Sequence, residues 1–199
     1  GTDAMNTESL KGLVTQVRAC TVCEPHLPNG VRPVLQVNSN AKILIAGQAP
    51  GRRVHASGIP FDDPSGDRLR DWMGVSSEQF YNPELFAIVP MGFCYPGTGK
   101  SGDLPPRPEC ATTWRARLLH HLPGIETSLV IGKYAHNYHF GKSNLTVTKL
   151  VENWQQYWPR QIPLPHPSPR NNIWLNKDPW FEAEVLPLMR AHIANLLKT

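Results

Sequence analysis

Four short apolar runs, each stopped abruptly by glycine or proline, constrain this chain more than anything else in it. They occupy residues 42–46 (KILIA), 85–89 (LFAIV), 128–131 (SLVI) and, more weakly, 161–164 (QIPL). Runs of four or five residues are short for helices, and their aliphatic and β-branched content suits buried strands. Between them the spacing turns helical. Residues 8–19 repeat Leu10, Leu13, Val14 and Val17, residues 67–73 follow a Pro-Ser-Gly start, and 111–121 carry Trp114, Leu118 and Leu119. Residues 133–140 are a weaker case. Residues 179–197 begin at proline and place Val185, Leu188, Met189, Ile193, Leu196 and Leu197 on one side, with Pro187 expected to break or kink the pattern early. Strands alternating with helices predict parallel pairing with helices over both sheet faces. The expected fold class is α/β, a three-layer α/β/α sandwich around a mainly parallel four-stranded sheet. The 199 residues fit one such domain over 5–199, with Gly1 to Ala4, ahead of Met5, read as an expression remnant.

In a sheet of this kind ligands bind beyond the carboxyl ends of the strands, so the loops after the four runs are where chemistry is expected. Nine of the 20 prolines cluster there, in residues 96–108 and 159–169, and predict long stiffened loops that are neither helix nor strand. A net charge of +4 suits a polyanionic partner without demanding one. No stretch approaches the ~20 apolar residues that span a bilayer, and no signal-peptide pattern opens the chain. A cytoplasmic monomer with no membrane association is the expectation.

Gly47-Gln48-Ala49-Pro50-Gly51 directly follows the first run. Its glycines and proline set a tight turn whose N–H groups can face an anionic or carbonyl oxygen. Gln48 carries a paired donor and acceptor able to hold a water or an amide-like base edge. After the last run comes His166-Pro167-Ser168-Pro169-Arg170-Asn171. The prolines fix His166 near a strand end, where a neutral imidazole N–H can stabilise an anion developing on a leaving group. Ser168, Arg170 and Asn171 add phosphate-binding donors. In Gly58-Ile59-Pro60-Phe61-Asp62-Asp63-Pro64-Ser65-Gly66, Phe61 could stack on a base or cap the core, and the two aspartates read as helix-start acids. The four cysteines stand as Cys20-x2-Cys23, then Cys94 and Cys110 with 15 residues between them. That set suits a metal centre. Spacing alone leaves zinc, an iron–sulfur cluster and plain burial open.

Taken together these segments resemble the uracil-DNA glycosylase superfamily over nearly the whole chain. GQAPG is similar to its first motif, which binds the flipped base and positions the attacking water. HPSPRN is similar to its second, with the histidine and a DNA-inserting loop, and GIPFDDPSG to the segment supplying the stacking ring, Phe61. The cysteine spacing resembles the iron–sulfur branch, often called family 4. The resemblance therefore implies a [4Fe–4S] cluster on Cys20, Cys23, Cys94 and Cys110, with zinc the lesser alternative. It also implies a glycosylase that hydrolyses the N-glycosidic bond of uracil or another deaminated base in DNA. His166 and Gln48 are its catalytic candidates, and Gly47, Ala49, Phe61 and Pro90 its base-binding ones. Ser168, Arg170, Asn171, Lys100 and Arg107 are the candidates for DNA contact, Arg170 standing where the family often places an apolar wedge.

This chain departs from the family at three points. Ala49 stands where the best-known branch has a water-activating aspartate, Gln48 where the iron–sulfur branch usually has glutamate, and Pro90 where the pyrimidine-reading asparagine falls. Those departures keep a second reading in play, a damaged-DNA binding protein of the same fold with little turnover. A zinc-stabilised or redox protein unrelated to DNA is the third.

Overall fold

The computed structural model describes residues 8–198; Gly1 to Ala4 lie outside them. Four strands build the central sheet: β1 (Ile43–Ala46), β2 (Phe86–Ile88), β5 (Thr127–Ile131) and β6 (Gln161–Leu164). Their order is β2-β1-β5-β6 and every pairing is parallel, in register Ile43 with Phe86 and Thr127, and Leu129 with Ile162. The expected runs and the strands coincide to within a residue or two. Each strand is buried on both sides, which is why it reads as a continuous apolar run. Ile43, Ile45, Phe86, Ile88, Leu129 and Ile162 face one core. Leu44 and Ala87 face another, and Ala46 and Val130 a third, so the period of two sorts the strand residues between the two faces of the sheet.

Helices cover both faces. Against Leu44 and Ala87 pack Leu13 and Val17 of α1 (Leu10–Arg18) and Trp114 and Leu118 of α5 (Pro108–His120). Against the opposite face pack Leu69, Trp72 and Met73 of α3 (Pro64–Met73) and Met189 and Ile193 of α9 (Leu186–Leu197). Asp63 caps α3, its Oδ1 accepting from Gly66 N at 2.8 Å, so the helix starts three residues before the expected 67. Pro187 ends up near the start of α9, where its missing N–H costs nothing. The preceding turn, Phe181–Val185, is a π-helix that absorbs the break expected there.

Several short elements escaped the sequence reading. They are α2 (Arg52–Ser57), α4 (Ser77–Phe80), α7 (Val147–Glu152) and α8 (Asn172–Lys177), besides the expected α6 (Gly132–Phe140). The proline-rich 96–108 stretch corrects one expectation. It holds a small antiparallel hairpin, β3 (Thr98–Gly99) with β4 (Gly102–Asp103), before α5 starts at Pro108. Among the described residues no helix is long and apolar enough to cross a membrane.

Candidate active site

Strand order reverses between β1 and β5, and a cleft opens beyond the carboxyl ends of the strands at that point. It measures about 650 Å³ and brings together Gly47, Gln48 and Ala49, Phe61, Pro90, His166, and Ser168 to Asn171. The size lies in the range of small-molecule sites, ~300–1,000 Å³.

The first turn is an extension of the sheet. Val89 N donates to Ile45 O at 3.0 Å, Met91 N to Gly47 O at 2.9 Å and Gly92 N to Gln48 O at 3.0 Å. The turn's carbonyls are therefore tied back to the segment after β2, which also brings Pro90 into the cleft. Among the described residues the Gln48 side-chain amide has no protein partner. Phe61 sits at φ 59°, the left-handed region, and its ring packs edge-on against Phe80 at 5.9 Å. A Cβ on Gly47 would lie 3.2 Å from the Phe61 ring, and one on Gly66 would lie 1.7 Å from the Phe61 carbonyl oxygen. Gly66 is thus required for the backbone at Phe61 to pass so close, while a side chain at Gly47 would press the ring out of place by a few tenths of an ångström. Phe61 is half-buried, so core packing and an open face coexist.

The second turn fixes the histidine's tautomer. Ser168 N donates to His166 Nδ1 at 3.0 Å, so Nδ1 is unprotonated and the neutral ring carries its proton on Nε2. Burial holds His166 below the ordinary histidine range, opposed by the charges of Asp63 and Asp103. The loop is braced from both sides: Asn171 Nδ2 donates to His166 O at 3.0 Å, and Arg68 Nη1 to Ser168 O at 3.4 Å. The result is a neutral N–H donor on a rigid mount.

Residues 35–190 match the family described as the uracil DNA glycosylase superfamily. The chain belongs to that superfamily. Its members are hydrolases acting on DNA, and the cleft holds both segments that the sequence singled out for that chemistry.

Around the mouth this uracil DNA glycosylase superfamily member carries exposed Arg52 and Arg53, at the start of α2, and Arg170. Arg52 and Arg53 were not anticipated; the signal was there, two arginines immediately following GQAPG. Arg170 Nη1 comes within 2.4 Å of where a Cβ on Gly102 would stand, so the guanidinium lies over the hairpin. Ile173, on α8 just past that loop, is 68% exposed, an unusual position for a large aliphatic side chain. Asp63 and Asp103 are the acidic residues lining the cleft. Lys100 lies in the turn of the β3–β4 hairpin and Arg107 outside the cleft altogether.

Arg107 instead faces the cysteines. Cys20, Cys23, Cys94 and Cys110 surround one small pocket with apolar walls that include Val17, Leu27 and Pro33. Arg107 lines it and pairs with Glu109 at 3.0 Å, while the Cys23 thiol donates to Glu109 Oε2 at 3.8 Å. Trp114 Nε1 donates to Cys20 Sγ at 3.4 Å and Phe93 N to Cys110 Sγ at 3.3 Å. Burial pushes the Cys110 thiol up to about 12, with the other three sulfurs adding to the shift. Among the described residues no three His, Cys, Asp or Glu side chains are gathered closely enough to share a single metal ion. Four thiols lining one apolar pocket, two of them accepting N–H···S bonds, are the donor type that an iron–sulfur cluster takes.

Proposed function

We propose that the protein is a monofunctional DNA glycosylase that hydrolyses the N-glycosidic bond of uracil or another deaminated base. The observation that carries the reading is the convergence of the GQAPG and HPSPRN turns in one cleft, with Phe61 as a wall between them. A target nucleotide rotates out of the stack into this cleft, where its base lies against Phe61 and its edge meets Gln48 and the backbone about Ala49. As the glycosidic bond lengthens, negative charge builds on the departing base. The Nε2–H of His166 is already aimed and costs no reorganisation when that charge appears. Burial of the neutral imidazole keeps it from being protonated, so the donor is present throughout the neutral range. Pro90 offers no side-chain hydrogen bond to a pyrimidine, which favours a site tolerant of more than one deaminated base.

Outside the cleft Arg52, Arg53, Ser168 and Asn171 grip backbone phosphates, and Arg170 with Ile173 fills the gap left in the duplex. Cys20, Cys23, Cys94 and Cys110 hold a [4Fe–4S] cluster that ties the segment after α1 to the loop before α5. When bound, the cluster supplies thiolate–iron bonds as a structural staple and takes no part in hydrolysis. Purified protein should contain roughly four iron atoms per chain and lose them in Cys20→Ser.

A panel of duplex and single-stranded oligonucleotides bearing uracil, hypoxanthine or xanthine tests the function, read as strand scission after alkali. Product on at least one lesion is expected. Ala49 and Pro90 favour one other reading, a lesion-binding protein with little turnover. Selective binding to a lesion, with no scission on any substrate, would establish that alternative.

A further inference from the structure

We propose that Asp103, on the β3–β4 hairpin, is the carboxylate that holds and deprotonates the attacking water. This inference rests on the glycosylase reading and names a residue that the reading leaves open. Gln48 cannot accept a proton from water, and Ala49 has no polar group. Hydrolysis nonetheless needs a water oriented at the sugar carbon, and a positioned base contributes about 10²–10⁴ in rate.

Two carboxylates line the cleft, Asp63 and Asp103. Asp63 serves the fold through one oxygen: its Oδ1 accepts from Gly66 N at 2.8 Å and caps α3, where the helix dipole favours its charge, while its Oδ2, like that of Asp103, meets no protein donor among the described residues. Asp103 is differently arranged. Its Oδ1 accepts from Thr98 Oγ1 at 3.1 Å, across the hairpin from its register partner. The Thr98 hydroxyl has one hydrogen, given to Asp103, so it accepts in turn from the hydroxyl of Tyr95. Tyr95 is buried, with its ring against His55 at 5.8 Å. A relay running from the interior thus fixes the carboxylate's orientation.

The other oxygen is the one available for chemistry. Oδ2 stands 3.4 Å from the position a Cβ would take on Gly51, the last residue of the GQAPG turn. Among the described residues no protein donor reaches it. The hairpin therefore delivers a carboxylate oxygen to the turn that lacks one of its own. In the step it performs, Oδ2 takes a proton from water and the water oxygen bonds to the anomeric carbon. The carbon–nitrogen bond breaks with its electron pair leaving on the base, where His166 meets the anion. Solvent then protonates the released base and takes the proton from Asp103.

The experiment measures single-turnover cleavage and, separately, affinity for a duplex carrying a 2′-fluoro analogue that resists hydrolysis. The lesion is one that the unaltered protein cleaves. Asp103→Asn should slow cleavage by about 10²–10⁴ with binding unchanged or tighter. Thr98→Val, which removes the aiming hydrogen bond, should slow it by about tenfold. Asp103→Glu should recover part of the loss. Full-rate cleavage by Asp103→Asn overturns the proposal, as does a loss that arises from weaker binding. So does an Asp63→Asn variant that loses the chemical step while Asp103→Asn keeps it. If the unaltered protein cleaves no lesion, the glycosylase reading itself has failed before any variant is compared. The hairpin is exposed, so thermal midpoints close to that of the parent should accompany these substitutions.

Discussion

Replacing His166 separates a structural role from the proposed catalytic one, carried by different atoms of one ring. Nδ1 accepts from Ser168 N and so shapes the loop, while the proton on Nε2 is the one proposed to serve the leaving base. Removing a preorganised donor of this kind costs about 10²–10³ in rate, or about 2.7–4 kcal/mol of transition-state stabilisation. His166→Ala removes both atoms. It leaves the Ser168 N–H without its acceptor, an added penalty of about 1–3 kcal/mol on the order of the loop. His166→Asn places an amide oxygen close to where Nδ1 was and restores that acceptor without supplying Nε2–H. Both variants should therefore lose about 10²–10³ in single-turnover cleavage. Only His166→Ala should also show a lowered thermal midpoint. DNA affinity, measured on uncleavable duplex, should change little in His166→Asn. Wild-type cleavage rates in His166→Asn would refute the reasoning, because the loop would be intact and the supposed donor gone.

Further outcomes follow from other contacts. Burial lowers His136 and His166, and lowers His139 to about 3, where Arg115 adds to the shift. In the unfolded chain these rings titrate near 6.5. Their contribution to stability is complete above that pH and is lost as pH falls towards the folded values, at up to about 1.4 kcal/mol per unit for each ring. Urea midpoints measured between pH 7 and pH 4 should fall accordingly, and a flat profile would contradict it. Gly66→Ala should destabilise by about 3 kcal/mol, since its Cβ would lie 1.7 Å from the Phe61 carbonyl oxygen, and calorimetry reads the loss. Arg53→Ala and Arg170→Ala should each reduce the slope of log affinity against log salt by about 0.9 if each grips one phosphate.

The sheet was legible because each strand is buried on both faces and announces itself as an apolar run closed by glycine or proline. The two site turns were legible for a related reason: in a parallel sheet, whatever follows a strand lies at the ligand-binding edge. The β3–β4 hairpin was not, since two-residue strands leave no periodicity and its glycines and prolines read as loop. The role proposed for Asp103 was hidden with it, because it depends on Thr98 across the hairpin and on Gly51, 52 residues back in the chain, contacts with no local signature. Arg107 was read as a candidate for DNA contact. The fold sends it to Cys23 and Glu109, a destination set by its place just before α5. Pro187 shows a rule applied correctly with a different remedy, since a π-helical turn lets the helix restart at the proline.

The cysteine pocket has a consequence for how the molecule is put together. Two of its sulfurs come from residues 20 and 23, ahead of the span 35–190 shared with the superfamily, and two from within that span. A shortened chain starting at residue 35 would lose only Val34 from the cleft lining yet retain only half of the sulfur set. With the proposed cluster bound, the amino-terminal segment would work as a clasp fastened from outside the common domain, and the centre would mature only once the chain had closed over itself.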